Sequence, residues 1–199
     1  MSRKWIIPLF VLTVTVVPVT VAALVKWGEG KYGALPVLGP ADGQSFNFQF
    51  RGQGGMSFSS GDWKGKVVVA HCFFSHCPVV CPRMIEQLRK IHSMTGVIIS
   101  SFSVDPERDS VQRLQDYDQQ LKLGPDWFLV TGNKKEMYRF LRKQLQLVAT
   151  DGDGGPLDFI HSENLALIDQ QGRIRGYYRG TDPDETDRLQ QDIKKLTRQ

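Results

Sequence analysis

Short apolar runs alternate with amphipathic segments along most of this sequence. Three runs have the length and the β-branched or aromatic composition of buried strands: residues 66–74, 97–104 and 127–130. Each is followed by a segment whose apolar residues recur at helical spacing: residues 78–95, 109–121 and 134–145. We expect Asp109 to be the N-cap of the second of these helices. Buried strands that alternate with helices predict an α/β domain with a mixed sheet.

Both ends of this alternating region predict antiparallel pairs. Polar and apolar residues alternate over 45–50, which favours an edge hairpin within residues 41–66. Residues 165–178 form a second predicted hairpin that turns at 170–172. Asp182 and Pro183 then suit the N-cap and first position of a last helix. A thioredoxin-like fold, with a central mixed sheet flanked by helices, fits this order.

The beginning of the chain predicts a membrane anchor. Residues 5–25 contain 21 residues without a charge, and a helix of that length spans about 30 Å. Arg3 and Lys4 precede this segment and predict a cytoplasmic N-terminus. A cleaved signal peptide is the alternative, with a poor cleavage site at residues 21–23. We therefore expect an anchor over residues 1–25, a Gly- and Pro-rich linker over 26–40, and one domain over 41–199.

Composition limits the remaining classes of function. A chain of 199 residues accommodates one domain and an anchor, and its 41% hydrophobic residues exclude a disordered protein. The net charge of +4 falls close to zero once Arg3 and Lys4 are set aside, and no run of five basic residues occurs. We therefore expect no nucleic acid partner. The predicted orientation places the domain outside the cytoplasm, in an oxidising compartment.

Two of the three cysteines lie where a predicted strand ends and a helix begins. At a spacing of four, Cys77 and Cys81 share one helical face, about 5–6 Å apart at Cβ. They could share a metal ion or, after a modest adjustment, form a disulfide. A helix N-terminus stabilises thiolates, which are soft ligands for Cu(I) or Zn. Two structural cysteines inside a helix are the alternative, and Cys72, in the preceding strand, is expected to be a core residue.

The histidines are less informative by themselves. His161 lies 80 residues beyond Cys81, after the glycine-rich segment 151–156, and its residue type alone favours an ordinary loop histidine. His76 precedes Cys77, where it could lower the pKa of that thiol, bind metal, or only pack. His71 and Cys72 point to opposite faces of a strand, so they cannot both face one site. Residues 105–109 are expected to form a turn.

Three segments together resemble the Sco/SenC family: residues 73–82 with Cys77 and Cys81, residues 103–109, and residues 159–175 with His161. The resemblance implies a membrane-anchored, thioredoxin-like domain facing the periplasm or intermembrane space. It implies copper handling during assembly of the binuclear copper site of cytochrome c oxidase. The implied ligands are Cys77, Cys81 and His161, and the implied metal is Cu(I), with Cu(II) as an alternative.

The same resemblance suggests the partners and the location. The recipient would be the copper-site domain of oxidase subunit II, with other periplasmic copper chaperones or thioredoxin-like reductants as further partners. The protein would be a single-pass protein of the inner membrane. The sequence departs from the family pattern at Val79 and Val80, where an acidic residue is common, and at Ile160, where an Asp is common. Both changes remove negative charge, which weakens the inference about partners and about Cu(II).

Two other functions use the same residues. A thiol-disulfide oxidoreductase would use Cys77 and Cys81 as a redox-active pair that keeps the cysteines of the oxidase copper site reduced. Dedicated thioredoxin-type enzymes usually have Cys-x-x-Cys and a proline beside the site, whereas here the spacing is longer and the nearest preceding proline to His161 is Pro156. This difference favours metal binding. A zinc-stabilised interaction module would need a fourth ligand, which could be water, His76 or Cys72.

Overall fold

The computed structural model describes residues 14–24, 34–39, 46–152 and 159–197. The chain divides into two compact units, residues 1–35 and residues 36–199. In the first unit, residues 14–24 are helical and their side chains are exposed. Among the described residues, no helix has both the length and the apolar character needed to cross a membrane. Residues 1–13 and 25 of the predicted anchor, and residues 26–33 and 40 of the predicted linker, lie outside the described residues.

The described residues of the second unit form nine strands and four α-helices. The strands are β1 (Gln49–Gly52), β2 (Ser57–Ser59), β3 (Val68–Phe73), β4 (Ile98–Ser103), β5 (Trp127–Thr131), β6 (Ala149–Asp151), β7 (Phe159–His161), β8 (Asn164–Ile168) and β9 (Ile174–Arg179). The helices are α1 (Val80–Thr95), α2 (Val111–Leu121), α3 (Lys134–Lys143) and α4 (Pro183–Thr197).

Seven strands form one mixed sheet in the order β2-β1-β5-β4-β3-β8-β9. The central strands β3, β4 and β5 are parallel, with α1 and α2 in the connections between them. Strand β8 is antiparallel to β3, and β1 is antiparallel to β5. The predicted α/β fold with a central mixed sheet flanked by helices is therefore confirmed. Strands β6 and β7 form a separate two-stranded sheet, which the sequence analysis did not predict.

Aromatic side chains fill one face of the sheet. Phe102 of β4 packs edge-to-face against Phe48 and Trp63, and its ring centroid lies 5.0 Å from that of Phe140 on α3. The neighbouring Ser101 points to the opposite face, as alternation along a strand requires. Its hydroxyl group accepts a hydrogen bond from the buried Trp127 indole at 3.0 Å. Every residue of β3 and β4 is buried, including His71 and the three serines of β4, whose polar atoms therefore need hydrogen-bond partners inside the protein.

The N-cap of α2 differs from the prediction. Asp109 was predicted to be this N-cap, and that prediction is wrong. The N-cap is Ser110, whose Oγ atom accepts a hydrogen bond from the Arg113 amide. Asp109 is instead fully buried, and its carboxylate accepts a hydrogen bond from Ser103 Oγ at 2.5 Å. The backbone turn in which the Asp109 amide bonds to the Asp105 carbonyl directs this side chain inward. The expected turn over residues 105–109 is present.

The β8–β9 turn lies at the opposite end of the sheet from the cysteines. Strand β8 runs antiparallel to β3, so the residues after Ile168 meet the beginning of β3 rather than its end. The buried Asp169 bonds to Arg175 at 2.7 Å in this turn. Arg175 also donates to the carbonyl group of Pro36, and the Leu38 amide bonds to the Ile174 carbonyl. Residues 36–38 therefore dock at the end of the sheet that is remote from Cys77.

Candidate metal site

Cys77 and Cys81 flank the beginning of α1. Cys77 precedes the helix and Cys81 is its second residue, so the pair does not lie on one helical face as the spacing suggested. The Cys77 amide bonds to the Phe74 carbonyl at 3.2 Å, which turns the chain back after β3. The Cys81 amide then donates to Cys77 Sγ at 3.3 Å. The sulfur atom thus satisfies an amide that the first helical turn leaves unpaired.

His161 completes a cluster of three candidate ligands. It is the last residue of β7, and β7 pairs with β6 so that His161 lies opposite Ala149. One ligand atom from each of Cys77, Cys81 and His161 lies within 4.8 Å of the others. The Phe74 ring and the imidazole pack in a T-shaped arrangement with a centroid distance of 5.6 Å. The fold therefore brings together the three residues that the family resemblance implied.

The two thiols of the pair differ strongly in acidity. A hydrogen bond from the Cys81 thiol is the largest cause that lowers the pKa of Cys77, to about 4. The backbone amides of Cys81 and Val79 and the ring of His161 lower it further, against the opposing effect of burial. The pKa of Cys81 is raised because its proton is held by Cys77 and because the side chain is buried. At neutral pH the pair is one thiolate and one thiol that share a proton.

Exposure also separates the two cysteines. Cys81 is 1% exposed, whereas Cys77 is half-buried. Both are free thiols, as is Cys72. A thiolate is the nucleophilic and metal-binding form of cysteine. The Cys77 sulfur therefore combines this form with access to solvent. The site can therefore bind a soft metal ion or exchange with a disulfide.

The third cysteine belongs to the core. Cys72 is fully buried, and burial raises the pKa of its thiol to about 12. Its sulfur atom lies 4.0 Å from the carbonyl oxygen of Val148, outside the cluster of ligand atoms. This placement agrees with the interpretation of Cys72 as a small core residue.

His71 is on the other face of β3 and is also buried. Its Nε2 atom lies 2.7 Å from Ser101 Oγ and its Nδ1 atom 2.9 Å from the Cys72 carbonyl oxygen. A carbonyl group only accepts hydrogen bonds, so Nδ1 carries the proton and Nε2 accepts from the serine. Burial lowers the pKa of His71 to about 4, and the ring is neutral at pH 7. The imidazole is a structural element of the core.

Ser75 and Asp109 hold the loop that carries Cys77. The Ser75 amide donates to both carboxylate oxygens of Asp109, at 3.2 and 3.3 Å. The Ser75 hydroxyl accepts from Arg113 Nε at 3.0 Å and lies 3.1 Å from Nδ1 of the exposed His76. The sequence analysis did not identify Ser75 or Arg113. The available indication was a polar residue directly after the hydrophobic run of residues 66–74.

Three large apolar side chains are exposed close in sequence to residues of the site or its hairpin. Val79, Val148 and Ile160 are large hydrophobic residues with exposed fractions of 52%, 54% and 54%. Val79 lies between the two cysteines in sequence, and Ile160 precedes His161. These two positions are where the sequence lacks the acidic residues common in Sco/SenC proteins. These sequence neighbours of the candidate ligands are therefore exposed and uncharged.

Comparison with known proteins gives matches to the family that the sequence resembles. Residues 40–198 match the family model described as SCO1/SenC. A SCO1/SenC family lipoprotein from Bacillus anthracis strain Ames is 30% identical, with a TM-score of 0.72, over 81% of this chain and 99% of that one. BsSco, described as a Sco-family cytochrome c oxidase assembly protein with a disulfide switch, is 25% identical, with a TM-score of 0.71, over 83% and 98% of the chains.

The fold is also shared with a copper-bound structure. Bradyrhizobium japonicum ScoI with copper bound has a TM-score of 0.64 at 22% identity, over 76% of this chain and 98% of that one. Fold and site thus define a thioredoxin-like α/β domain with a cysteine pair at a strand–helix junction and a histidine beside it. The chain belongs to the SCO1/SenC family. The resemblance stated from the sequence is confirmed.

Proposed function

We propose that this protein is a membrane-anchored, extracytoplasmic copper chaperone that helps assemble the binuclear copper site of cytochrome c oxidase. The observation that carries the proposal is the convergence of Cys77, Cys81 and His161, whose ligand atoms lie within 4.8 Å of one another. Support also comes from BsSco, an oxidase assembly protein, and from ScoI, which holds copper in the same fold.

The donor set suits Cu(I) as the cargo. Two sulfur ligands and one imidazole are soft or borderline donors, which favour Cu(I) over hard cations. Cys77 already carries negative charge, because its pKa is lowered to about 4, so binding requires the loss of one proton, from Cys81. Copper affinity is therefore expected to rise with pH. Because Cys77 is the more exposed ligand, a thiolate of the recipient would approach the metal from its side.

Copper binding is tested by anaerobic Cu(I) titration of the full chain in detergent, against a competing chromophoric chelator. We expect one Cu(I) per chain, with an X-ray absorption spectrum of two sulfur atoms and one nitrogen atom. His161→Ala should lower the affinity and remove the nitrogen. His76→Ala is the matched control, because His76 is exposed and outside the cluster. Unchanged affinity and an unchanged spectrum in His161→Ala would contradict the role of His161.

Delivery is tested with the copper-site domain of oxidase subunit II as the recipient. We expect the reduced recipient domain to gain copper from the loaded protein, and Cys77→Ser to abolish this transfer. Other periplasmic copper chaperones would supply the metal, and thioredoxin-like reductants would keep the cysteine pair reduced. If the protein binds copper well but transfers none, the proposal of copper binding stands and this recipient is excluded.

The arrangement in the membrane belongs to the same proposal. Residues 1–25 form the single-pass anchor in the inner membrane, residues 26–40 the linker and residues 41–199 the domain in the periplasm or another extracytoplasmic space. The uncharged stretch 5–25 supports the anchor, and the Bacillus anthracis relative is a lipoprotein. Protease added to intact spheroplasts should degrade the domain. Full protection would contradict this orientation.

Thiol-disulfide exchange is the second candidate function. The observation that favours it is the lowered pKa of Cys77 beside a protonated Cys81. The Cys77 thiolate would attack a disulfide of the target, form a mixed disulfide and release one target thiolate. Cys81, once deprotonated, would then attack Cys77 Sγ and release the second target thiolate, which leaves a Cys77–Cys81 disulfide and a target reduced by two electrons. An external dithiol would regenerate the pair.

This second function has its own experiment. Cys81→Ser lacks the resolving thiol, so it should accumulate a mixed disulfide with the oxidised copper-site domain through Cys77. Mass mapping identifies the bond. Copper-free wild-type protein that neither reduces the domain nor forms the Cys77–Cys81 disulfide would exclude this function and leave copper delivery in place.

A further inference from the structure

The hairpin that carries His161 is separate from the main sheet. Strands β6 and β7 have three residues each and, within the described part of the chain, pair only with one another. His161 lies opposite Ala149 at one end of the hairpin, and Asp151 lies opposite Phe159 at the other end. The Ser162 amide bonds to the Val148 carbonyl at 2.9 Å, beside the His161 end. An isolated two-stranded sheet is marginally stable, so its position depends on the contacts it makes with the rest of the domain.

Asp151 makes such contacts at the far end of the hairpin. Its Oδ1 atom lies 3.0 Å from Lys134 Nζ and 2.9 Å from the Tyr138 hydroxyl oxygen. Both partners are on α3, at the first residue and one turn later. The Lys134 ammonium group is also 5.7 Å from the centre of the Tyr138 ring. The ion pair with Lys134 is the largest cause that lowers the pKa of Asp151.

The partners of Asp151 are themselves held in place. Tyr138 is 7% exposed, and its hydroxyl group lies 2.7 Å from the Val104 carbonyl oxygen, just beyond β4. Lys134 also pairs with Glu107 at 3.6 Å, in the turn that follows β4. Asp151 therefore joins the hairpin to a position fixed by α3 and by the C-terminal end of β4.

We propose that Lys134, Tyr138 and Asp151 form a latch that keeps the β6–β7 hairpin, and with it His161, beside the cysteine pair. This inference rests on the proposed copper chaperone function for its consequence, which is the rate of copper release. The latch residues do not belong to the cluster of ligand atoms, so they are positioning residues. Opening the latch lets His161 move away and leaves copper on the two cysteines.

The solvent exposure of the latch residues determines how strongly the latch should slow copper release. The side chain of Asp151 is 57% exposed and that of Lys134 is 28% exposed. Ion pairs of this kind are weak and are screened by salt, so loss of the pair should speed copper release about two- to fivefold. A weak latch suits a histidine that must hold copper and then give it up.

The experiment uses the full chain in detergent and two variants, Asp151→Asn and Lys134→Met. Asp151→Asn has nearly the same shape, and the side chain at this position is 57% exposed, so the variant should fold. Glu185→Gln is the matched control, since it removes an ion pair with Arg188 at 2.7 Å on α4. In metal-free protein, hydrogen exchange at the Ser162 amide and across β6 and β7 should speed up in both latch variants and not in the control.

The copper measurement asks whether the latch acts through His161. Release of Cu(I) to an excess of chelator should be about two- to fivefold faster in Asp151→Asn at low ionic strength, with a smaller difference at 1 M salt. In a His161→Ala background, Asp151→Asn should have no further effect. If Asp151→Asn speeds Cu(I) release equally with and without His161, the contact is merely structural and the proposal is overturned. Unchanged hydrogen exchange in the latch variants would also overturn it. If the wild type binds no Cu(I), the proposed function fails, while the exchange measurement still decides whether the latch exists.

Discussion

The backbone amide of Cys81 donates a hydrogen bond to the sulfur atom of Cys77 across 3.3 Å. Cys77 thus takes the place that the oxygen of a serine or aspartate side chain has at many helix N-termini. The amide groups of a helix start favour negative charge, and the Cys81 thiol adds its own hydrogen bond. The same geometry favours a thiolate at Cys77, which is the form of cysteine that binds metal ions and acts as a nucleophile.

The three cysteines should therefore react in a fixed order. At pH 6, a thiolate with a pKa of about 4 is almost fully formed, about a thousandfold more than an ordinary thiol. Its lower basicity reduces its nucleophilicity about a hundredfold, so Cys77 should be alkylated about tenfold faster than a small free thiol. Cys81 should follow more slowly, and Cys72 should react only after unfolding. Iodoacetamide labelling with mass mapping measures this order.

The control for this prediction is Cys81→Ala. It removes the thiol that contributes most to the low pKa of Cys77, so alkylation of Cys77 at pH 5 should slow down. Labelling of Cys72 before Cys77 in the folded protein would contradict the buried position of Cys72.

His71 should make the fold sensitive to acid. Its pKa is lowered by burial from 6.5 to about 4, so the neutral ring stabilises the folded state fully above pH 6.5. That stability is lost as the pH falls from 6.5 to about 4, because the unfolded chain binds the proton first. The total loss is about 3 kcal/mol. Urea unfolding between pH 7 and pH 4 measures it, in a Cys77→Ser, Cys81→Ser background where the site thiols do not titrate.

Two variants check the assignment to His71. His71→Gln keeps a polar side chain but does not titrate, so the fall in stability over this pH range should flatten. His76→Gln alters an exposed histidine and should leave the slope unchanged. An unaltered slope in His71→Gln would assign the acid sensitivity to another group.

Arg175 should contribute more to stability than its neighbour Arg173, although both pair with Asp169. The side chain of Arg175 is 6% exposed and bonds to Pro36 as well, whereas that of Arg173 is 42% exposed. Arg175→Met should lower the free energy of unfolding by about 2 kcal/mol or more, because it removes one partner of a buried pair. Arg173→Met should cost less than about 1 kcal/mol. Equal losses in thermal or urea unfolding would contradict this ranking.

Asp109 should be required for the cysteine loop to fold correctly. Asp109→Ala leaves the buried Ser75 amide and Ser103 hydroxyl group without the acceptor that they share, which should cost about 2–3 kcal/mol. Asp109→Asn keeps one oxygen acceptor and should cost less. Urea unfolding of both variants tests this. Wild-type stability in Asp109→Ala would mean that the two donors find other partners.

Local pattern was sufficient for most of the regular structure. The runs at 66–74, 97–104 and 127–130 became β3, β4 and β5, because strands buried on both faces are rich in β-branched and aromatic residues. The hairpin β6–β7 was missed, since strands of three residues are too short to show a period. Asp109 was misassigned because a turn and a helix cap use the same residue types, and only the packing of the Ser75 loop decides between them.

The sequence by itself determined the α/β fold, the place of the cysteine pair at a strand–helix junction and the buried role of Cys72, because spacing, hydrophobic runs and residue type are local properties. The link between His161 and the cysteines came from family resemblance, since 80 residues separate it from Cys81. Only the tertiary structure decided how that distance is closed, through a short hairpin attached to α3 by Asp151. It also decided which thiol is acidic, because a pKa depends on burial and hydrogen bonds formed after the chain folds.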